Sequence, residues 1–255
     1  MDKFHFNQKW YIARISYLEE NLSKFSEVRI GRHNGKKVIR IKTDNGYKEI
    51  NPNSSKYKLF IKQAEARTAA ETEIKRLKKE WKEFFKESYS EVAARYVVMP
   101  NTKSPMTYDS WRKLIDNECP TEKPAEYAYN GRFYRSRIER QMATAATHLR
   151  ILFKYDCGIK LNRQYTNYLD FAFAFPEFNR WVICEVLGML DKISYIDSQC
   201  EKLTDYMKNN YYIGRDLFIQ SGDKVYMENE DDTYQMLVDI VNKLSDQYVV
   251  IKQDF

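Results

Sequence analysis

Tyr168-Leu169-Asp170-Phe171-Ala172-Phe173 and Trp181-Val182-Ile183-Cys184-Glu185-Val186 decide how the second half of this chain is read. Both are short runs of apolar or small residues, strand-like in length and composition. One acid interrupts each. A carboxylate inside a strand that should be buried is costly unless it is paired or binds a metal. A third acid, Glu139, lies in the helical stretch before them. Three carboxylates around one sheet edge can hold a hard divalent cation such as Mg²⁺.

Around these runs the pattern predicts a helix at 134–150, strands at about 153–161, 168–175 and 180–187, a helix at 194–209 and a strand at 215–220. The short links 162–167 and 176–179 favour antiparallel neighbours. Helix 194–209 can then cross over to strand 215–220. A last helix at 231–246 puts Met236, Leu237, Ile240, Val241 and Leu244 on one face. The central order is αβββαβ.

Upstream, residues 8–25 read as a helix with Tyr11, Ile15, Leu18 and Leu22 at helical spacing. Alternating runs around Asn34-Gly35 and Asn45-Gly46 predict a three-stranded meander over 27–50. Arg29 and Lys37 lie on its outward face, which is either simply solvated or a basic patch for a nucleic-acid backbone. A long helix is predicted over 56–97 from Ile74, Leu77, Trp81, Phe84, Phe85 and Val92. It reads as a scaffold or coiled-coil-like arm and makes a homodimer plausible. Pro100 and Pro105 close it. Residues 98–131 read as a connector with a short helix near 107–116. The expected division is therefore 1–97, 98–131 and 132–255.

Composition narrows the class. Of 255 residues, 43% are hydrophobic and 31% charged, with 8 Gly and 6 Pro, which suits a folded globular chain. The net charge of +6 is compatible with an anionic partner. No run approaches the roughly 18 apolar residues of a membrane span, and no signal pattern opens the sequence. A cytoplasmic protein with no membrane partner is expected. Cys119, Cys157, Cys184 and Cys200 lack the paired spacing of a zinc site. His5, His33 and His148 are too scattered for a histidine metal site or a Ser-His-Asp apparatus.

The αβββαβ order, with one acid in the second strand and another in the third, resembles the core of the PD-(D/E)xK nuclease superfamily. Three local signatures bring the likeness closer. Arg135-Ser136-Arg137-Ile138-Glu139 is similar to the R-S-K-S-E helix start of one branch. Leu169-Asp170-Phe171 stands in the place of P-D-F. Cys184-Glu185-Val186-Leu187-Gly188-Met189-Leu190-Asp191 is similar to that branch's E-x-x-G-M-x-D, with Tyr195 and Lys202-Leu203-Thr204-Asp205-Tyr206 downstream. The branch is typical of uncharacterised proteins of bacteria, phages and mobile elements. The likeness is strongest over roughly 131–220.

This resemblance implies a restriction-endonuclease-like α+β or α/β fold and a Mg²⁺- or Mn²⁺-dependent endonuclease or phosphodiesterase acting on DNA. It makes Asp170 the central metal ligand and Glu185 the second. The Val186 backbone carbonyl and Glu139 would complete the set. Arg135 and Arg137 would contact phosphates, or form a solvated helix start. One departure is Leu187, which stands where the (D/E)-x-K lysine belongs. Lys202 is the replacement candidate, because Tyr206 lies one turn away on the same helix face; the other reading is an exposed helix lysine. Glu139 has a second reading as a capping or salt-bridged residue. Asp170 and Glu185 have one as buried structural carboxylates. The departure at Leu187 also leaves open a nuclease fold without turnover that binds nucleic acid or a host protein, such as a counter-defence factor of a phage or mobile element.

Overall fold

The computed structural model describes residues 4–24, 28–120, 126–161, 166–222 and 230–252. It is a mixed α and β chain that divides into two compact units, 7–98 with 249–255 and 1–6 with 99–248.

In the N-terminal unit, helix α1 (Gln8–Lys24) precedes strands β1 (Val28–His33), β2 (Lys36–Thr43) and β3 (Gly46–Glu49), then helices α2 (Tyr57–Phe84) and α3 (Tyr89–Ala94) and strand β4 (Tyr96–Val98). The three strands form the expected antiparallel meander, in order β1-β2-β3. Asn34 and Gly35 both have positive φ at the first turn, as a tight hairpin requires. The expected single helix over 56–97 is interrupted. Phe85 is extended, the Trp81 indole N–H donates to the Glu87 carbonyl, and a new helix starts after Ser88. The apolar stripe of α2 (Ala64, Ala70, Ile74, Leu77, Trp81) is buried, and the helix packs on α1 and β1. It is not a free arm.

The second unit carries α4 (Tyr108–Lys113), the hairpin β5 (Tyr127–Tyr129) and β6 (Arg132–Tyr134), α5 (Arg137–His148), β7 (Leu152–Lys160), β8 (Thr166–Phe175), β9 (Arg180–Leu187), α6 (Ile193–Lys208), β10 (Leu217–Ser221) and α7 (Glu230–Tyr248). A last strand, β11 (Val249–Ile251), pairs antiparallel with β4 and so belongs to the N-terminal unit. The expected boundary at 132 falls too late. Residues 99–131 are part of the second unit: Met106 and Trp111 sit in its core, and the Trp111 indole donates to the Ala172 carbonyl at 2.8 Å.

From α5 to β10 the order is αβββαβ. The sheet order is β10-β9-β8-β7; β8 runs antiparallel to both its neighbours, β7 and β9, and β10 runs parallel to β9. The link 162–165 lies outside the described residues. The other link closes as a 3₁₀ turn at Pro176–Phe178 followed by Asn179 in the left-handed region, which Asn tolerates well. Strands β8 and β9 are central and nearly continuously buried, as expected for strands covered on both faces. One face packs Ala172, Ala174, Trp181 and Ile183 against Trp111 and Tyr206. Phe171 and Phe173 point to the other by strand alternation and stack at 5.5 Å. Arg180 and Asp216, both almost fully buried, form an ion pair that ties the start of β9 to the loop before β10. All four cysteines are free. Among the described residues, no helix is long and apolar enough to cross a membrane.

Candidate functional site

The acids meet because of where two strand ladders fail. Phe171 pairs with Cys184 in the β8–β9 ladder, so Asp170 and Glu185 are the next opposed positions. Pairing stops there. The Asp170 carboxylate instead accepts the Val186 backbone N–H at 2.7 Å. On its other side, β8 pairs Phe171 with Tyr155 and Leu169 with Cys157, which sets Asp170 opposite Asp156. That position is also skipped. Asp156 has φ of 52°, in the left-handed region, and its carbonyl accepts N–H groups from Glu118 and Cys119. Asp156, Asp170 and Glu185 therefore form a row across β7, β8 and β9.

Like charges on opposed strand positions repel, and two cations offset this row. The Arg135 Nη2 lies 2.6 Å from Asp156 Oδ1, 3.1 Å from Asp170 Oδ1 and 3.8 Å from Glu139 Oε1. The Lys202 Nζ lies 2.7 Å from Glu185 Oε2, while the Tyr206 hydroxyl donates to Oε1 at 2.6 Å. Burial, together with the neighbouring Asp170, pushes Glu185 up to about 8 against the pull of the Lys202 ammonium. Burial would lower Lys202, but the charges of Glu185 and Asp170 overcome it and leave it raised. Asp156 is pushed up to about 6 by burial, against Arg135.

Glu139 is placed by helix chemistry. Ser136 caps α5 and accepts the Glu139 N–H at 3.2 Å, while Glu139 Oε2 accepts the N–H groups of Ser136 and Arg135. This reciprocal capping box fixes Oε2, which also accepts the Tyr155 hydroxyl at 2.8 Å. Burial and the Asp170 charge raise the Glu139 carboxyl. The capping reading of Glu139 thus holds, and its Oε1 still faces the acid row.

A cleft of about 640 Å³ opens over this arrangement. Asp170, Glu139, Arg135 and Lys202 line it, with Asn167, Tyr168, Tyr195 and Gln199 among its other walls. Glu185 is fully buried beneath Lys202.

The structure brings together Glu139, Asp170, Glu185, Val186, Lys202 and Arg135. The Val186 N–H donates to Asp170. Arg135 is turned inward onto acids, its guanidinium also resting against the Tyr155 ring. Arg137 is exposed at the first turn of α5. Arg29 and Lys37 belong to the N-terminal unit, where Arg29 lies over the Tyr47 ring at 5.1 Å and Lys37 pairs with Glu65 at 3.4 Å. Asp156 and Tyr155 were not singled out from the sequence. The signal for Asp156 was present: an acid in the strand run Phe153-Lys154-Tyr155-Asp156-Cys157, the same criterion that marked Asp170 and Glu185.

The acids suit a hard divalent ion in kind. Among the described residues, no three such side chains stand arranged around one ion. Arg135 Nη2 takes the central position among Glu139, Asp156 and Asp170. The Arg135 side chain is 24% exposed, with the cleft beside it. Compared with family models, curated proteins and solved structures, the chain matches none.

Proposed function

We propose that the second unit is a restriction-endonuclease-like nuclease that hydrolyses phosphodiester bonds of DNA with Mg²⁺ or Mn²⁺. The observation that carries this reading is the acid pair Asp170 and Glu185 at the ladder break, with the Lys202 ammonium 2.7 Å from Glu185. Lys202 comes from α6 and lines the cleft, so it supplies the cation that Leu187, on β9, cannot. Asp170, Glu185 and Glu139 would hold the ion. When bound, the ion lowers the pKa of a water and offsets charge on the phosphate. Asp170 is oriented for this by the Val186 N–H, and Glu185 by Tyr206. Arg135, released from Asp156 and Asp170, becomes a cation for a phosphate oxygen. Lys202 holds a proton beside the reacting group. Cleavage of plasmid and single-stranded DNA with either metal, comparing the wild type with Asp170→Ala, tests the claim. Cleavage that Asp170→Ala abolishes is expected; no cleavage, or equal cleavage by the variant, sinks it.

A second reading has its own observation. Every acid of the row is already neutralised from within, by Arg135 or by Lys202 with Tyr206. A nuclease fold without turnover, binding nucleic acid or a host protein, would carry such a self-satisfied site. DNA affinity that falls steeply with salt, without cleavage under either metal, favours it.

A further inference from the structure

Helix α6 is sixteen residues long, yet Tyr206 is its one buried residue. Its pocket-facing side carries Tyr195, Gln199 and Lys202. Its outer side carries Ser194, Asp197, Ser198, Glu201 and Asp205. Between them runs a third face: Ile193, Ile196, Cys200, Leu203 and Met207, spaced three, four, three and four residues apart. That is the alternation of a two-helix seam, with Ile193, Cys200 and Met207 at one repeat position and Ile196 and Leu203 at the other. Leu203 leans on the core, while Ile193 is 77% exposed and Ile196, Cys200 and Met207 are exposed as well. A stripe this regular is normally covered.

We propose that this stripe is the contact through which two copies of the chain associate, their α6 helices side by side and parallel. The flanking charges select the occupant and the direction. In that register Lys192, the extended N-cap residue directly before Ile193, stands five residues before Asp197 of the other copy, the spacing at which flanking residues pair across a parallel seam. The two-fold axis makes this pair twice. Both residues are exposed, and among the described residues neither makes an ion pair within the chain. Cys200 meets its own counterpart at the middle of the seam. The contact is independent of the nuclease reading. The seam is only about 24 Å long at 1.5 Å per residue, so the association is of micromolar rather than nanomolar strength.

Sedimentation of the full chain from about 1 to about 100 µM tests this. The expected result is a mass that climbs from 30.6 kDa towards twice that value. Ile193→Glu should hold the chain at the monomer mass. An acid in the first turn suits the helix, so an unchanged circular dichroism melt shows that the fold is intact. Lys192→Asp should weaken association about tenfold, and adding Asp197→Lys should restore it. Mild oxidation should give a covalent dimer that Cys200→Ser abolishes. A constant 30.6 kDa mass, or a dimer indifferent to Ile193→Glu, overturns the seam. Charge exchanges without effect overturn the parallel arrangement.

Discussion

Glu185 is a carboxyl whose surroundings oppose its charge. It is fully buried, opposed to Asp170, and its carboxyl is pushed up to about 8. A carboxyl raised on folding binds its proton more tightly in the folded chain than in the unfolded one. Stability should therefore be complete below the ordinary carboxylate range and should fall as pH rises towards 8. In chelator, the wild type should lose on the order of 5 °C in Tm between pH 5 and pH 8. Glu185→Gln, which keeps the shape and cannot ionise, should flatten that slope, as thermal melts across the range would show. Arg135 is the complementary case. Arg135→Ala would leave Asp156 and Asp170 opposed with no cation between them. The expected cost is about 2 kcal/mol in the absence of metal. If the nuclease reading is right, Mg²⁺ should stabilise the Arg135→Ala protein more than the wild type in a thermal shift series. Equal stabilisation would argue that the acid row is not an ion site.

At the scale of elements, α5 depends on its capping box, and Ser136→Ala should cost about 1 kcal/mol in urea unfolding. The change removes only the hydroxyl that accepts the Glu139 N–H; the Glu139 carboxylate keeps the N–H groups of Arg135 and Ser136 and the Tyr155 hydroxyl. This element was legible: Ser136 followed three residues later by Glu139 is the written signature of a capped helix start. The strands of the site were legible too, because buried central strands show as short apolar runs. The hairpin β5–β6 was missed although Asn130-Gly131 between Tyr127-Ala128-Tyr129 and Arg132-Phe133-Tyr134 is the same signal that located the meander. The break in the long helix was not legible. Apolar spacing continues through Phe84, Phe85 and Val92, and neither Gly nor Pro marks the stop. What ends α2 is a contact made after the turn, the Trp81 indole on the Glu87 carbonyl. Nor could local sequence reveal that Arg135 would face the acids, since that depends on Asp156 turning out of the β7 ladder at positive φ.

At the scale of the whole molecule, the chain leaves the N-terminal unit at β4 and returns to it at β11. Val249, Val250 and Ile251 pair with Val98, Val97 and Tyr96, the Lys252 N–H donates to the Arg95 carbonyl, and Val249 is fully buried. The second unit is thus an insertion between two strands that need each other. Three residues so far apart in sequence, with no alternation to mark them, are why 249–255 was assigned to the other unit. Deleting 249–255 should strip β4 of its partner. Burial of Val249 and the lost ladder bonds together amount to about 2–3 kcal/mol. By hydrogen exchange, amides of β4 and of α1, which packs against both strands, should exchange roughly thirty- to a hundredfold faster. Strands β8 and β9 should keep their protection, because their ladder lies wholly within 99–248. Uniform loss of protection across both regions would instead mean that the units unfold as one.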